Sequence, residues 1–236
     1  MTESLADRVI AVAGAAGSLG PSVVHRLATA GSRVCACGRD RTSLEALAAD
    51  AGAEIDLDVV DLLDATATRA WAADLADRHG RIDGLVHLVG GWRGGTSIEE
   101  APIEDWAFLE PLLVQTLQNA TQAFAPALLS SDHGRVVVIS TGQAQAPTHK
   151  NAVYAAGKAA AEAWTLALAD RFRGTRATAN IVVVGAIVTP AMRAESPDKD
   201  FTTFTRAEDI ADAIAYICSD AAATMNGQRL TLRGSA

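Results

Sequence analysis

Tyr154 and Lys158, four residues apart in the segment YAAGK, could together transfer a proton. On a helix, side chains at this spacing share one face, with Cβ atoms ~5–6 Å apart. A free tyrosine has a pKa near ~10 and exchanges protons poorly at neutral pH. Because a nearby ammonium favours the phenolate, Lys158 is predicted to lower the pKa of Tyr154 toward neutrality. The tyrosine could then pass a proton to or from a substrate oxygen. An amphipathic tyrosine beside a lysine that reaches for solvent gives the same spacing, so other segments must support this interpretation.

Composition predicts a soluble, cytoplasmic protein with one large core. The chain has 236 residues, of which 49% are hydrophobic, and a net charge of −8, which argues against nucleic acid or an anionic membrane as a partner. The N-terminal MTESLADR lacks the features of a signal peptide, and no apolar run approaches the ~20 residues of a membrane span. Cys35, Cys37 and Cys218 suggest neither a disulfide framework nor a zinc pattern, so no metal is expected.

Apolar, β-rich runs alternate with Ala/Leu-rich helical patterns along the whole chain, which predicts a single α/β domain over residues 1–236 with a parallel sheet. The predicted strands are Arg8–Ala13, Arg33–Cys37, Glu54–Val60, Gly84–Val89, Arg135–Ile139, Thr178–Val184 and Gln228–Leu232. Helices are predicted at Thr42–Ala51, Ala65–His79, around Tyr154, at Glu208–Ser219, and in a long segment that ends near Leu129. Pro111 either kinks this long segment or divides it into two helices.

A glycine-rich turn follows the first predicted strand, and a helix that begins near Pro21 follows the turn. Backbone N–H groups in such a turn, together with the helix dipole, can bind a pyrophosphate. A tight turn without a ligand is the alternative, but the position between strand and helix near the N-terminus favours a cofactor. The predicted cofactor-binding residues of this turn are Gly14, Ala16, Gly17, Ser18, Leu19 and Gly20.

The second predicted strand ends in Gly38-Arg39-Asp40. In dinucleotide-binding folds an acidic residue at this point binds the adenosine ribose, whereas an arginine accommodates a 2′-phosphate. Glycine occupies the acidic position here and Arg39 follows it, so NADP(H) is predicted as the preferred cofactor, with NAD(H) possible. Arg39 could instead be an ordinary solvated loop charge, and the neighbouring Asp40 weakens the prediction.

The segments AGAAGSLG, VHLVGG, YAAGK and NIVVVGAIVTP together resemble the short-chain dehydrogenase/reductase family over essentially the whole chain. The resemblance implies a Rossmann fold, that is, a doubly wound parallel seven-stranded sheet with helices on both faces. It also implies hydride transfer between NADPH and a carbonyl or imine of a small-molecule substrate, with Tyr154 as the proton donor or acceptor. Lys158 would hold the nicotinamide ribose, and a hydroxyl at Thr141, thirteen positions before Tyr154, would polarise the substrate, with Ser140 as the adjacent alternative.

Further site residues follow from the same resemblance. Besides Tyr154 and Lys158, the implied cofactor contacts are Asp61, Leu62, Val89, Gly90, Gly91, Ile139, Gly185, Ile187 and Thr189. The implied substrate pocket contains Trp92, Gln143, His149 and Met192. From its sequence context, Trp92 in the loop GGWRGG either folds back as a hydrophobic lid or lines the pocket.

Several positions depart from the family pattern. His87-Leu88-Val89-Gly90 stands where the family has Asn-Asn-Ala-Gly, and Ser18 replaces a glycine. Leu113 aligns with the asparagine of the family's proton relay. These changes favour an alternative, a non-catalytic NADP-binding sensor, whereas the intact pair of Tyr154 and Lys158 favours an enzyme.

Two further expectations come from the resemblance. The GGWRGG loop with VTPAM and DFTTFT is similar to the dihydropteridine reductase branch, although Gly38-Arg39 does not match the NADH preference of that branch. The family also implies a homo-oligomer, a tetramer or dimer, with the Tyr154 helix and the last strand at interfaces. Small residues on that helix would allow close helix approach, or alternatively would face the subunit's own sheet; they are Ala156, Ala160, Ala163 and Ala167.

Overall fold

A computed structural model describes residues 4–234 and confirms the alternation of strands and helices. The strands are β1 (Val9–Ala13), β2 (Arg33–Gly38), β3 (Ile55–Val59), β4 (Gly84–His87), β5 (Arg135–Thr141), β6 (Thr178–Val184), β7 (Ile187–Val188), β8 (Thr205–Arg206) and β9 (Arg229–Thr231). The helices are α1 (Gly20–Thr29), α2 (Arg41–Ala51), α3 (Ala65–His79), α4 (Ile103–Glu110), α5 (Thr116–Ser130), α6 (Ala152–Arg171), α7 (Pro190–Glu195) and α8 (Ala207–Cys218).

Seven strands form one parallel sheet in the order β3-β2-β1-β4-β5-β6-β9, which confirms the predicted Rossmann architecture. Alternate strand residues enter two separate cores, as the period of two in a strand requires. Val12, on β1, packs in the core that includes α1, α2 and α8, whereas Ala11 packs in the core that includes α3, α5 and α6. The strand order reverses between β1 and β4, where ligands bind at the carboxyl ends of the strands in folds of this kind.

The long helix that was predicted to end near Leu129 is divided around Pro111. Pro111–Gln115 forms a π-helical turn between α4 and α5, because proline has no N–H to continue the α-helical hydrogen bonds. Leu113 lies buried in this turn. Its Cδ1 is 2.9 Å from the place that a Cβ would occupy at Gly157, so the glycine allows α6 to approach the turn.

Two differences from the predicted boundaries affect the site. Strand β4 ends at His87 rather than at Val89, which leaves Leu88 and Val89 at the start of the glycine-rich loop. Strand β5 extends through Ser140 and Thr141.

Within residues 4–234, no helix combines the length and apolar character needed to cross a membrane. The prediction that the chain has no signal peptide rests on MTESLADR, and residues 1–3 of that segment lie outside the described residues.

Candidate active site

Helix α6 brings Tyr154 and Lys158 together beside the carboxyl end of β5. Lys158 Nζ lies 6.0 Å from the centroid of the Tyr154 ring. The same nitrogen donates a hydrogen bond of 2.8 Å to the backbone oxygen of Ile139. The lysine is buried and Tyr154 is partly exposed, so the tyrosine is the member of the pair that a small molecule can reach.

The electrostatics of this pair differ from the prediction. Burial raises the pKa of Tyr154, so the predicted lowering by Lys158 is wrong for this structure. Burial also lowers the pKa of Lys158 to about 8, and only Glu162 acts in the opposite direction. The physical reason is that both groups are taken out of water, which disfavours the phenolate and the ammonium alike. Tyr154 therefore keeps its proton at neutral pH and suits the role of a proton donor.

Ser140 and Thr141 have different surroundings, because successive strand residues point to opposite faces. The Ser140 hydroxyl donates a 2.6 Å hydrogen bond to Glu162 Oε1. Thr141 Oγ1 accepts from the backbone N–H of Gln143, at 3.4 Å, and has no acceptor for its own proton among the described residues. The geometry favours Thr141 over Ser140 as the hydroxyl available to a substrate.

Glu162 is a buried carboxylate that sequence reasoning did not single out, although it lies four residues after Lys158. Its Oε2 is 2.6 Å from Arg229 Nε and 3.3 Å from Gln145 Nε2. The network joins α6 to β5 and β9 and places a negative charge near Lys158. The spacing of Lys158 and Glu162 in YAAGKAAAE was the sequence signal for it.

The glycine-rich turn has the form expected of a phosphate-binding loop. Gly14 has φ +78°, and a Cβ there would lie 2.9 Å from Val89. A Cβ at Gly20 would lie 1.7 Å from the backbone oxygen of Ala15, so only glycine allows this close packing of the helix. Leu19 precedes α1 without a side-chain cap. The N–H groups of Gly20 and Val23 bond backbone carbonyls and Pro21 has none, which leaves the N–H of Ser22 for an anion in the described structure. Ala16, Gly17 and Ser18 are exposed.

A cavity of about 560 Å³ begins at this turn. Its lining includes the predicted cofactor residues Gly14, Gly17, Arg39, Asp61, Leu62, Val89 and Gly90. A Cβ at Gly90 would lie 3.9 Å from Lys158 Nζ, so the lining of the cavity comes close to this lysine. The absence of side chains at its glycines and its position at the strand ends fit a dinucleotide.

The surroundings of Arg39 favour a free cation at the cavity. The Asp40 carboxylate caps α2 by accepting hydrogen bonds from Ser43 N at 2.8 Å and Ser43 Oγ at 2.6 Å. These bonds lower the pKa of Asp40. Arg39 is exposed and has no ion pair within residues 4–234. The neighbouring carboxylate that weakened the NADP(H) prediction is thus engaged elsewhere.

The other predicted cofactor contacts lie outside the lining of this cavity. Ile139 provides the carbonyl that holds Lys158, and a Cβ at Gly91 would lie 3.3 Å from Phe108 and from Leu112. Gly185 and Ile187 follow the carboxyl end of β6. Thr189 caps α7, where its Oγ1 accepts from Met192 N at 3.2 Å.

The predicted substrate-pocket residues have distinct environments. Trp92 is 60% exposed, so it does not fold back as a packed lid. Gln143 has a buried Oε1 without a hydrogen-bond partner in the described structure, which makes it available to a ligand. His149 Nδ1 is 3.2 Å from Ser97 Oγ, and this contact ties the exposed histidine to the segment that follows the GGWRGG loop. Met192 is half-buried.

Sequence reasoning missed several residues at the cavity. Phe108, Leu112 and Thr116 line it. His87 Nε2 is 3.2 Å from Thr116 Oγ1. Burial, and then the charge of Lys158, lowers the pKa of His87 to about 3, so this ring is neutral. The His-Leu-Val-Gly departure was the only signal for it in the sequence.

A cavity at the carboxyl ends of parallel strands, with a glycine-rich turn on one side and Gly90 near Lys158 on the other, fits an NAD(P)-dependent oxidoreductase. The model for short chain dehydrogenases matches residues 8–200. The chain therefore belongs to the short-chain dehydrogenase family.

Relatives cover almost the whole chain. It is 27% identical to D-threitol dehydrogenase of Mycolicibacterium smegmatis over 98% of this chain and 93% of the relative. Identity to the 3-oxoacyl-acyl-carrier-protein reductase FabG of Escherichia coli is 24%, with 96% of each chain covered. A Shigella flexneri short chain dehydrogenase, solved in complex with NADP, superposes with a TM-score of 0.87 at 24% identity, covering 98% of this chain and 99% of that one.

Proposed function

We propose that this protein is an NADPH-dependent reductase of a carbonyl or imine, with Tyr154 as the proton donor. The observation that carries the proposal is that the cavity beginning at the glycine-rich turn reaches Gly90, where a Cβ would lie 3.9 Å from Lys158 Nζ, the nitrogen that lies beside the Tyr154 ring. A bound nicotinamide cofactor would supply the hydride. Tyr154 gives its proton to the substrate heteroatom, and the free hydroxyl proton of Thr141 polarises that atom. Lys158, held by Ile139, binds the nicotinamide ribose.

The preference for NADPH over NADH rests on Arg39. Its guanidinium lies exposed at the cavity without a carboxylate partner within residues 4–234, and Asp40 is occupied by Ser43. A charge-assisted hydrogen bond to a 2′-phosphate contributes roughly 1.5–3 kcal/mol. Gly38 supplies no carboxylate to bind the ribose of NADH.

The proposal is tested by NADPH oxidation with a panel of aldehydes, ketones, imines and a quinonoid dihydropterin. Tyr154→Phe removes only the transferable proton, so turnover should fall by ~10²–10⁴-fold while NADPH affinity is unchanged. The matched control is Tyr216→Phe, which changes the one other tyrosine, on α8. A Tyr154→Phe variant that kept most of its turnover would exclude the proposed proton donor.

A non-catalytic NADP-binding sensor is the second candidate, and the buried Leu113 in place of the relay asparagine favours it. NADPH binding without oxidation by any substrate of the panel would support the sensor. Dihydropteridine reductase activity stays a prediction, which the dihydropterin arm of the panel tests.

The proposed assembly is a homo-oligomer, a tetramer or dimer, that uses the outer face of α6. Ala156, Ala163 and Ala167 are exposed, so they do not face the subunit's own sheet. Next to them, an apolar groove of about 240 Å³ lies between α5 and α6, beside Trp164 and Leu168. Light scattering of the purified protein should give a mass of two or four chains, and a monomer mass would contradict this assembly.

A further inference from the structure

Cys35, Asp56 and His79 converge on one side of the sheet, away from the proposed active site. Cys35 on β2 pairs in register with Asp56 on β3, and His79 is the last residue of α3. Their ligand atoms lie within 4.8 Å of one another. Cys35 precedes Gly38 by three residues, which places it ~10 Å along the strand from the cofactor cavity.

The contacts among these side chains do not form a satisfied hydrogen-bond network. Asp56 Oδ2 is 2.7 Å from His79 Nε2 and 3.6 Å from Cys35 Sγ. Nevertheless, His79 Nε2 is buried and has no hydrogen-bond partner in the described part of the chain. The close approach of His79 Nε2 to Asp56 Oδ2 therefore does not satisfy the ring nitrogen, which is left to bind another atom.

The donor set of sulfur, nitrogen and oxygen matches the preference of zinc, whereas Mg²⁺ and Ca²⁺ prefer oxygen alone. Tetrahedral zinc with bonds of ~2.0–2.3 Å requires ligand atoms ~3.4–3.6 Å apart. The observed separations of 2.7 and 3.6 Å reach that geometry by small side-chain rotations. An open cavity of about 670 Å³ adjoins Asp56 and His79, so a water or an anion can occupy the fourth position.

We propose that Cys35, Asp56 and His79 form a zinc-binding site that joins β2, β3 and the end of α3. Arg78 Nη1 lies 3.8 Å from Asp56 Oδ2, and its charge opposes a cation there. This guanidinium is already held by Asp58 at 2.9 Å and by Asp74 at 2.8 Å, which offsets much of that charge.

Zinc binding at this site displaces the thiol proton of Cys35, because the thiolate is the ligand. Zinc affinity should therefore increase with pH. The sequence predicted no metal because the three ligands come from separate elements. Asp56 follows Cys35 by 21 residues, and His79 lies further along the chain.

The test measures zinc in the purified, full-length protein without reference to its activity. The protein is stripped with a chelator, kept reduced, mixed with zinc chloride and desalted, and bound metal is measured by mass spectrometry. One zinc per chain is expected, and Cys35→Ser and His79→Gln should each lose it. Cobalt should give a thiolate-to-metal charge-transfer band that is absent from Cys35→Ser.

Two matched controls distinguish this site from adventitious binding. Cys37→Ala removes the other thiol of β2, and His133→Gln removes a histidine that lies 3.0 Å from Asp220. Both should keep one zinc per chain. The proposal is overturned if the unmutated protein retains no more zinc than the Cys35→Ser and His79→Gln double variant, or if the controls lose zinc equally. Asp56→Asn replaces Cys35→Ser if circular dichroism shows the serine variant to be unfolded.

Discussion

The charge of Glu162 should set the upper pH limit of the proposed reductase. Lys158 has a pKa lowered to about 8 by burial, and Glu162 raises it. Because the pKa of Tyr154 is raised, Lys158 loses its proton before Tyr154 does as the pH increases. If the ammonium form of Lys158 holds the nicotinamide ribose, kcat/KM for reduction should fall as the pH rises through about 8.

Glu162→Gln keeps the shape of the side chain but removes its charge, so the fall in kcat/KM should move to lower pH. Residues at this helical spacing place opposite charges ~6–8 Å apart, which at an effective dielectric constant of about 20 interact by ~2–3 kcal/mol. That energy corresponds to ~1.5–2 pKa units. Arg229, 2.6 Å from the carboxylate, offsets much of the negative charge, which leaves an expected shift of about 0.5–1 pH unit.

The measurement is the pH dependence of steady-state kcat/KM for the unmutated protein and three variants. Glu162→Asp keeps the charge and should largely restore the original limit. Asp170→Asn is the matched control, because Asp170 is an exposed acid on the same helix that pairs with Arg173 at 3.1 Å. A limit that stays in place in Glu162→Gln, or moves to higher pH, would refute the proposed coupling of Glu162 to Lys158.

Three further predictions concern the cofactor and the reacting groups. Arg39→Ala should weaken NADPH binding by tens of fold in isothermal titration and leave NADH binding nearly unchanged. The reason is that the variant loses a contact of roughly 1.5–3 kcal/mol to the 2′-phosphate. Equal losses of affinity for both cofactors would contradict this prediction. Thr141→Val should lower kcat more than Ser140→Ala does, because the Ser140 hydroxyl donates its hydrogen bond to Glu162. The reverse order in steady-state kinetics would identify Ser140 as the hydroxyl that polarises the substrate. Leu113→Asn should move the upper pH limit of kcat/KM to higher pH, because an amide would reduce the desolvation of Lys158; an unchanged limit would exclude this.

Local signals predicted the elements of the fold well. Helix α3 has the predicted bounds because Asp64 caps its first turn and Gly80 ends it in the left-handed conformation. Thr178–Val184 also has its predicted bounds, since a continuous apolar run is typical of a parallel strand buried on both faces. Such signals lie within a few residues of the elements that they define.

The properties of the site depended on contacts that no local pattern contains. Ser140 and Glu162 are 22 residues apart in the sequence, yet their hydrogen bond separates the two candidate hydroxyls. The pKa of Tyr154 depends on how much water the fold removes from it, and the helical spacing to Lys158 does not determine that. The role of Asp40 became clear only from its bonds to Ser43.

Leu113 and His87, two departures from the family pattern, lie near Lys158, whose pKa burial lowers. A Cβ at Gly90 would lie 3.7 Å from Leu113 Cδ2 and 3.9 Å from Lys158 Nζ. The Leu113 side chain therefore places hydrocarbon near the lysine, where the family pattern has an amide. His87 interacts with the charge of Lys158 and is neutral, so it adds no positive charge beside the ammonium. The carbonyl of Ile139 and the charge of Glu162 are then the main groups that support the protonated lysine. Glu162→Gln removes a charge that raises the pKa of Lys158, whereas Leu113→Asn should reduce the desolvation that lowers it, so the two variants should move the pH limit in opposite directions.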